Sequence, residues 1–395
     1  MQLMDEIRSE NGVNILSLFD GMACGLISMI ESGVKVNKYT AYEIDESAIK
    51  TSNHNFPFIE HRGNVFGADF TEYRGGLDYL IGGSPCTHWS ICQKKNRETE
   101  ASGIGWELFQ QYVRALNDSK PKFFIYENNK SMSSAVRESI TETFGFEPIC
   151  INSALLSAQN RNRLYWVGKL NEDGTYSRVN VQQPEDLGIG LDSVIDGCVY
   201  HLNPTPSGKI RTVDAHICRL ENNLIPRINN PNPAKQQYDC FVEPVNTTGD
   251  FKSFALNSTY YKSAFANFVN GGGHYPATGV AEPVLYGNDG STFATPSKYE
   301  NGVPVKALSS ANGKEYDVYC AKNGVIQVNG KDYPINLNDG YYIIRKLTVN
   351  ECKKLQTVPE WYGFPVSNTQ AYKMLGNGWT CSVISHLINA TLENK

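Results

Sequence analysis

No apolar stretch in this 395-residue chain approaches the roughly 18 residues that crossing a bilayer takes. The opening, Met1 to Asn11, is polar and acidic, unlike a secretory leader, so an intracellular, cytoplasmic location is expected. The ten cysteines include no C-x-x-C pair, which leaves neither a disulfide framework nor a zinc spacing, and reduced thiols are expected. A spaced G-x-G-x-x-G is also missing, which counts against a dinucleotide-binding oxidoreductase. Internal repeats and low-complexity tracts are lacking; the nearest approach is Gly271-Gly272-Gly273, read as a flexible loop. Positive charge is in deficit too. With a formal net charge of -5, any polyanionic partner must be met by local basic patches.

What is there suits a soluble globular protein: 41% hydrophobic and 19% charged residues, in a chain long enough for two cores. The first part alternates strand-like and helix-like segments. Strands are predicted at 13–19, 39–44, 77–82, 123–126 and 163–168, and helices at 25–32, 45–53 and 106–117. That βαβ rhythm predicts a doubly wound, Rossmann-like α/β sheet. After about residue 171 the texture turns to Asn, Gly, Pro and Tyr, with hairpin signals at Asn323-Gly324 and Asn329-Gly330. Helical patterning returns after Leu347, where Thr348 and Glu351 have capping-box spacing, and 382–392 is amphipathic. The predicted organisation is a discontinuous α/β domain, 1–185 plus 343–395, and a smaller β-rich domain, 186–342.

Several segments bring chemistry to the sheet's edge. Phe19-Asp20-Gly21-Met22-Ala23-Cys24-Gly25 follows a strand and opens a helix, so its glycines permit a tight turn against a ligand. Glu43, at the end of the next strand, stands where such folds hold a ribose; an exposed strand-end carboxylate is the alternative. Gly82-Gly83-Ser84-Pro85-Cys86 ends another strand. A lone cysteine there is usually a small core residue. The strand Phe123-Phe124-Ile125-Tyr126-Glu127, however, delivers an acid to the same edge, so a nucleophile and an acid face one ligand. In Gln159-Asn160-Arg161-Asn162-Arg163 the alternate arginines point to one side of an extended segment, with a solvated strand end as the alternative.

Taken in order, these segments resemble the Phe-x-Gly-x-Gly, Pro-Cys, Glu-Asn-Val and Gln-x-Arg-x-Arg motifs of the C5-cytosine DNA methyltransferases. Arg345, Leu347, Thr348, Glu351, Leu355, Gln356 and Pro359 resemble the family's later block, and Gly376-Asn377-Gly378 its last motif. The likeness covers about 12–170 and 343–390 and is nearest in flavour to the catalytic domain of the animal de novo enzymes. Departures are Asn64 for Asp, Thr87 for Gln or Asn, Asn129 for Val and Ser382 for Pro.

The resemblance implies transfer of a methyl group from S-adenosylmethionine, leaving S-adenosylhomocysteine, to C5 of a flipped cytosine in duplex DNA. It assigns Cys86 as nucleophile, Glu127 as acid, Arg163 as a brace on the base and Arg161 as support for the catalytic loop. It places the cofactor along Phe19, Asp20, Gly21 and Gly25, with Glu43 on the ribose, Ile44 and Asn64 near adenine, and Pro85, Asn377, Gly378 and Trp379 around the rest. Core packing is the alternative for Phe19 and Trp379. The loop after Cys86, with Ser90, Lys94, Lys95 and Arg97, is expected to close over the base, hinged at Gly103 and Gly105. Residues 186–342 would recognise the target, with Lys209, Arg211, Arg219, Arg227, Lys252, Lys262, Tyr260 and Tyr261 as candidate DNA contacts. No metal or membrane is implied, and a monomer is compatible. A prokaryotic or phage modification enzyme is expected, with a restriction partner left open. A tRNA cytosine methyltransferase and a catalytically silent regulatory relative remain as alternatives.

Overall fold

A computed structural model describes residues 7–85, 88–90, 97–195, 200–202, 253–254, 279–284, 294–323, 325–328, 331–334 and 339–394. The chain divides into two compact units. One comprises Met1–Leu156, Asn162–Asp186 and Gln356–Lys395, the other Ser157–Arg161 and Leu187–Leu355.

The first unit is built on β1 (Arg8–Leu18), β2 (Val36–Tyr42), β3 (Glu60–His61), β4 (Tyr79–Gly82), β5 (Phe123–Asn129), β6 (Ile149–Asn152), β8 (Asn162–Leu170) and β9 (Tyr176–Arg178). β7 (Gln159–Asn160) belongs to the second unit. The order across the sheet is β3-β2-β1-β4-β5-β8-β6, with β9 on β8. β1 to β5 run parallel, whereas β8 is antiparallel to both β5 and β6. Every residue of β4 is buried, as a strand covered on both faces requires, so it reads as an unbroken apolar run. From β1 the chain winds outward to β2 and β3, then returns to the other side for β4 and β5. That reversal opens a crevice at the carboxyl ends of β1 and β4, where open α/β sheets take ligands.

The helices of this unit are α1 (Cys24–Glu31), α2 (Glu46–Asn55), α3 (Gly103–Ser119), α4 (Ser134–Phe144), α6 (Asn368–Asn377) and α7 (Cys381–Glu393). Asp45 caps α2, accepting from the Ser47 and Ala48 amides, and Ser133 caps α4. One side of the sheet carries an aromatic core of Phe109, Tyr112, Phe124, Tyr126, Phe144 and Trp166. α7 returns the chain's end to α1: the Ser28 hydroxyl donates to Cys381 O at 3.0 Å, and Tyr79 and Thr391 share a 2.8 Å hydroxyl contact. The expected hinge glycines instead start α3. Gly103 has φ of 81°, and the Gly105 amide donates to Glu98 Oε2 at 3.0 Å, where an added Cβ would lie 2.6 Å from that oxygen.

In the second unit, β10 (Tyr200–Leu202), β12 (Gly279–Pro283), β13 (Thr295–Glu300), β14 (Val303–Leu308), β15 (Glu315–Lys322) and β18 (Gly340–Lys346) form a sheet ordered β10-β12-β18-β15-β14-β13. β16 (Val325–Val328) extends it beside β15, β17 (Lys331–Pro334) pairs with β16, and β11 (Ser253–Phe254) pairs with β7. Lys322 faces Val325 across the expected turn, with Asn323 at φ of 52°. The other expected turn, 329–330, lies outside the described residues. The predicted capping box opens α5 (Val349–Leu355): the Glu351 amide donates to Thr348 Oγ1 at 3.1 Å and Thr348 N donates back to Glu351 Oε2 at 2.6 Å. Arg345, fully buried, donates to Glu351 and Glu282 at 2.9 and 3.2 Å, tying α5 to β12 and β18. The first unit therefore resumes at Gln356, later than the boundary at 343 drawn from the sequence.

Candidate active site

The turn after β1 is left-handed at Phe19, Gly21 and Ala23, with φ of 58°, 59° and 61°. Two of these are not glycine, a conformation that costs of order 1 kcal/mol or more each and clusters at functional sites. Glu43 holds the turn: its Oε2 accepts from Gly21 N at 2.8 Å, while Oε1 accepts from Ile44 N and Asp45 N at 2.7 and 2.8 Å. α1 starts directly at the turn without a side-chain cap.

Above these ends lies a cavity of about 260 Å³. Phe19, Asp20, Gly21, Gly25, Glu43, Pro85, Glu127, Asn377, Gly378 and Trp379 line it, so ten residues singled out from the sequence come together. Among the described residues, Asp20, Glu43, Asp45 and Glu127 bring four carboxyl groups to the wall against the single Lys373. Asp20 Oδ1 accepts from the Ser17 and Tyr39 hydroxyls, each at 2.6 Å, whereas Oδ2 is buried with no partner among the described residues. Burial pushes the Asp20 carboxyl up to about 7 against those two hydrogen bonds, with Glu43 adding to the rise.

Glu127 is held from two sides. Arg163 Nε reaches Oε1 at 3.1 Å, their side chains 8% and 12% exposed, and Trp379 Nε1 donates to Oε2 at 2.9 Å. Asn128 secures the segment leading to Cys86, its Nδ2 donating to Ser84 O at 3.1 Å, and the Ser84 and Tyr126 hydroxyls lie 2.7 Å apart.

Other expected site residues fall elsewhere. Ile44, 71% exposed, and Asn64 do not line the cavity; Asn64 Oδ1 accepts from Phe66 N at 3.0 Å. Arg161 belongs to the second unit because the strand breaks there: β7 pairs with β11, and β8 with β5 and β6. Arg97 donates to the carbonyls of Trp89 and Ser131, and Ser90 is buried. Cys86, Thr87, Lys94, Lys95 and the candidate DNA contacts between Lys209 and Lys262 lie outside the described residues. Among the described residues no helix is long and apolar enough to cross a membrane, and no three His, Cys, Asp or Glu side chains group as around a metal ion.

Sequence reasoning missed Asp45 and Lys373, which face each other on the cavity wall with Lys373 Nζ 2.6 Å from Asp45 Oδ2. A signal existed for Lys373: it stands four residues before Asn377 on α6, hence on the same helix face.

The strand order, the antiparallel β8 and the cavity at the strand ends define a Rossmann-like methyltransferase fold accompanied by a second sheet. The sequence matches the C-5 cytosine-specific DNA methylase family over residues 13–393, and the chain belongs to that family. The motif resemblance had pointed to it. The chain is similar to the orphan methyltransferase M.SPRI of Bacillus phage SPR, 22% identical over 439 residues that cover 96% of this chain and 98% of that one. It is 33% identical over 133 residues to the type II methyltransferase M.Eco47II of Escherichia coli, covering 33% of this chain and 31% of that protein. Among solved structures, a Spodoptera frugiperda DNMT2 has a similar fold (TM-score 0.53, 16% identity, 96% and 99% of the two chains). So has EhMeth of Entamoeba histolytica (TM-score 0.55, 14% identity, 97% and 99%).

Proposed function

We propose that this protein transfers a methyl group from S-adenosylmethionine to C5 of a cytosine in a specific duplex DNA sequence, through a covalent bond from Cys86 to C6. The observation that carries the reading is Glu127, clamped by Arg163 and Trp379 beside an acidic cavity at the carboxyl edge of the sheet.

The cavity's residues fit this cofactor. Lys373 pairs with Asp45 and Arg163 with Glu127, which leaves Glu43, and Asp20 once ionised, as the negative side of the cavity that suits a ligand with a sulfonium and an ammonium. Asp20 Oδ2 lacks a partner that a cation or donor would supply. When bound, S-adenosylmethionine supplies an electrophilic methyl group. Glu43 would hold the ribose, the exposed face of Ile44 would be covered by adenine, and Asn64 would accept from the adenine amino group.

Cytosine C5 is a weak nucleophile, so the Cys86 thiolate first adds to C6, pushing the ring electrons toward N3, where protonated Glu127 donates its proton. C5 is then enamine-like and would take the methyl group that S-adenosylmethionine supplies, leaving S-adenosylhomocysteine; a base removes the C5 proton, the Cys86–C6 bond breaks to return the thiolate, and N3 returns its proton to Glu127. Arg163 orients Glu127 and braces the base, and Arg161 supports the loop. A stacked cytosine is out of reach, so the base must leave the duplex. The second unit, with the segment 203–278, supplies target recognition, and the setting is a prokaryotic or phage-infected cytoplasm.

The test is transfer of labelled methyl to unmethylated duplex DNA, to tRNA and to no acceptor, with wild type beside Cys86→Ala, followed by bisulfite sequencing. Label on DNA cytosines that disappears with Cys86→Ala supports the proposal. Label on tRNA alone replaces DNA by tRNA as substrate, and no label on any acceptor rejects catalysis.

A further inference from the structure

We infer that Trp379 is a positioning residue for Glu127, coupling the wall of the cofactor cavity to the catalytic acid; the inference rests on the role proposed above for Glu127. The indole Nε1 donates to Oε2 at 2.9 Å while Arg163 Nε holds Oε1 at 3.1 Å. Each carboxyl oxygen thus has its own donor. The donors come from different places, β8 and the link between α6 and α7, so turning the carboxyl group breaks both contacts. A third restraint comes from below. A Cβ on Gly83 would stand 2.9 Å from Oε2 and 2.7 Å from the Glu127 carbonyl oxygen, so only glycine lets the acid settle over the segment leading to Cys86.

The same indole is part of the cavity wall. Its Cζ3 would lie 3.5 Å from a Cβ placed on Gly25, so the ring also packs on the first turn of α1. One side chain therefore touches the start of α1, the cavity and the acid. Packing in the cavity needs only the ring, whereas holding Glu127 needs the N–H, and the two roles separate experimentally.

Trp379→Phe keeps an aromatic ring and removes the N–H. The expected result is a kcat about ten- to a hundredfold lower, with KM for S-adenosylmethionine within about threefold of wild type. A second readout needs no cofactor. Once Cys86 has added to C6 and N3 has been protonated, C5 can take a solvent proton and lose its own hydrogen on reversal, so tritium at C5 of the target cytosine washes out. Trp379→Phe should slow this exchange by the same factor as kcat, and in a Glu127→Gln background it should change the residual rate less than about twofold, since coupled residues are non-additive. Benzothienylalanine at position 379 replaces the N–H by sulfur at nearly constant shape, and it should reproduce the loss even where the smaller phenyl ring perturbs folding. An unchanged exchange rate with a raised cofactor KM overturns the inference and leaves Trp379 as cavity wall alone. A wild-type protein that neither exchanges nor methylates cytosine in DNA or in tRNA overturns the role of Glu127 itself, and this inference with it.

Discussion

At the scale of single residues, Asp20 joins the fold to the site. Its Oδ1 is satisfied by Ser17 and Tyr39, but Oδ2 has no partner, and burial raises its carboxyl from 3.8 to about 7. The folded chain therefore holds a proton that the unfolded chain releases between those values. Stability contributed by this group is present below about pH 4, falls as pH rises toward 7, and then levels off. Asp20→Asn keeps an acceptor for both hydroxyls and removes the buried charge. It should leave stability at pH 4 nearly unchanged and raise it at pH 8 by about 1–4 kcal/mol, measured by denaturant unfolding. A gain of equal size at both pH values would rule out titration of Asp20 as its source. Asp20 was legible in the sequence because a strand, a tight turn and a helix follow in immediate succession. The Asp45–Lys373 pair was not, because it joins residues 328 positions apart that only the tertiary fold makes neighbours.

At the scale of elements, local signals were the most readable. Thr348 and Glu351 have the spacing of a capping box and form one with both reciprocal bonds. What the spacing does not reveal is that Glu351 also receives Arg345, which shares itself with Glu282 on β12, all three side chains fully buried. Arg345→Met leaves two buried carboxylates without their cation and should destabilise the second unit by about 3–5 kcal/mol. In thermal unfolding this would appear as an earlier transition. Adding Glu282→Gln and Glu351→Gln should recover part of the loss, and no recovery would place the cost in packing instead. β5 was harder to delimit. It runs through Glu127, Asn128 and Asn129, residues with little strand preference, because each is paired across to β8, opposite Tyr165, Leu164 and Arg163. The ladder overrides propensity and delivers the acid inside a strand. The break at Arg161 is the converse. Alternation alone suggested one continuous face for Arg161 and Arg163, but the strand changes partners between them.

At the scale of the whole molecule, the α/β rhythm told of a doubly wound sheet, while the insertion of β8 between β5 and β6 is long-range pairing that periodicity does not encode. The closing segment matters equally, since the cavity draws on residues from Ser17 to Trp379 and so needs both ends of the chain. A ligand that binds there links them thermodynamically, stabilising the folded form by RT ln(1 + [L]/Kd), about 2.7 kcal/mol at a hundredfold excess over Kd. For a chain of 395 residues that corresponds to a rise in the unfolding midpoint of about 3 °C. S-adenosylmethionine and S-adenosylhomocysteine should both produce such a rise in the intact protein, because the ribose, adenine and amino-acid contacts are common to them. NAD should produce a smaller rise, because its pyrophosphate would meet Glu43 and the ionised form of Asp20, whose charges no lysine or arginine among the described residues offsets. Glu43→Ala should reduce the rise for both thioether and sulfonium, since it removes the proposed ribose acceptor and frees the Gly21 amide that holds the turn. A rise with NAD comparable to that with the sulfonium ligand would mean that the cavity's acidity does not select its occupant, and the electrostatic argument for the cofactor would then fail.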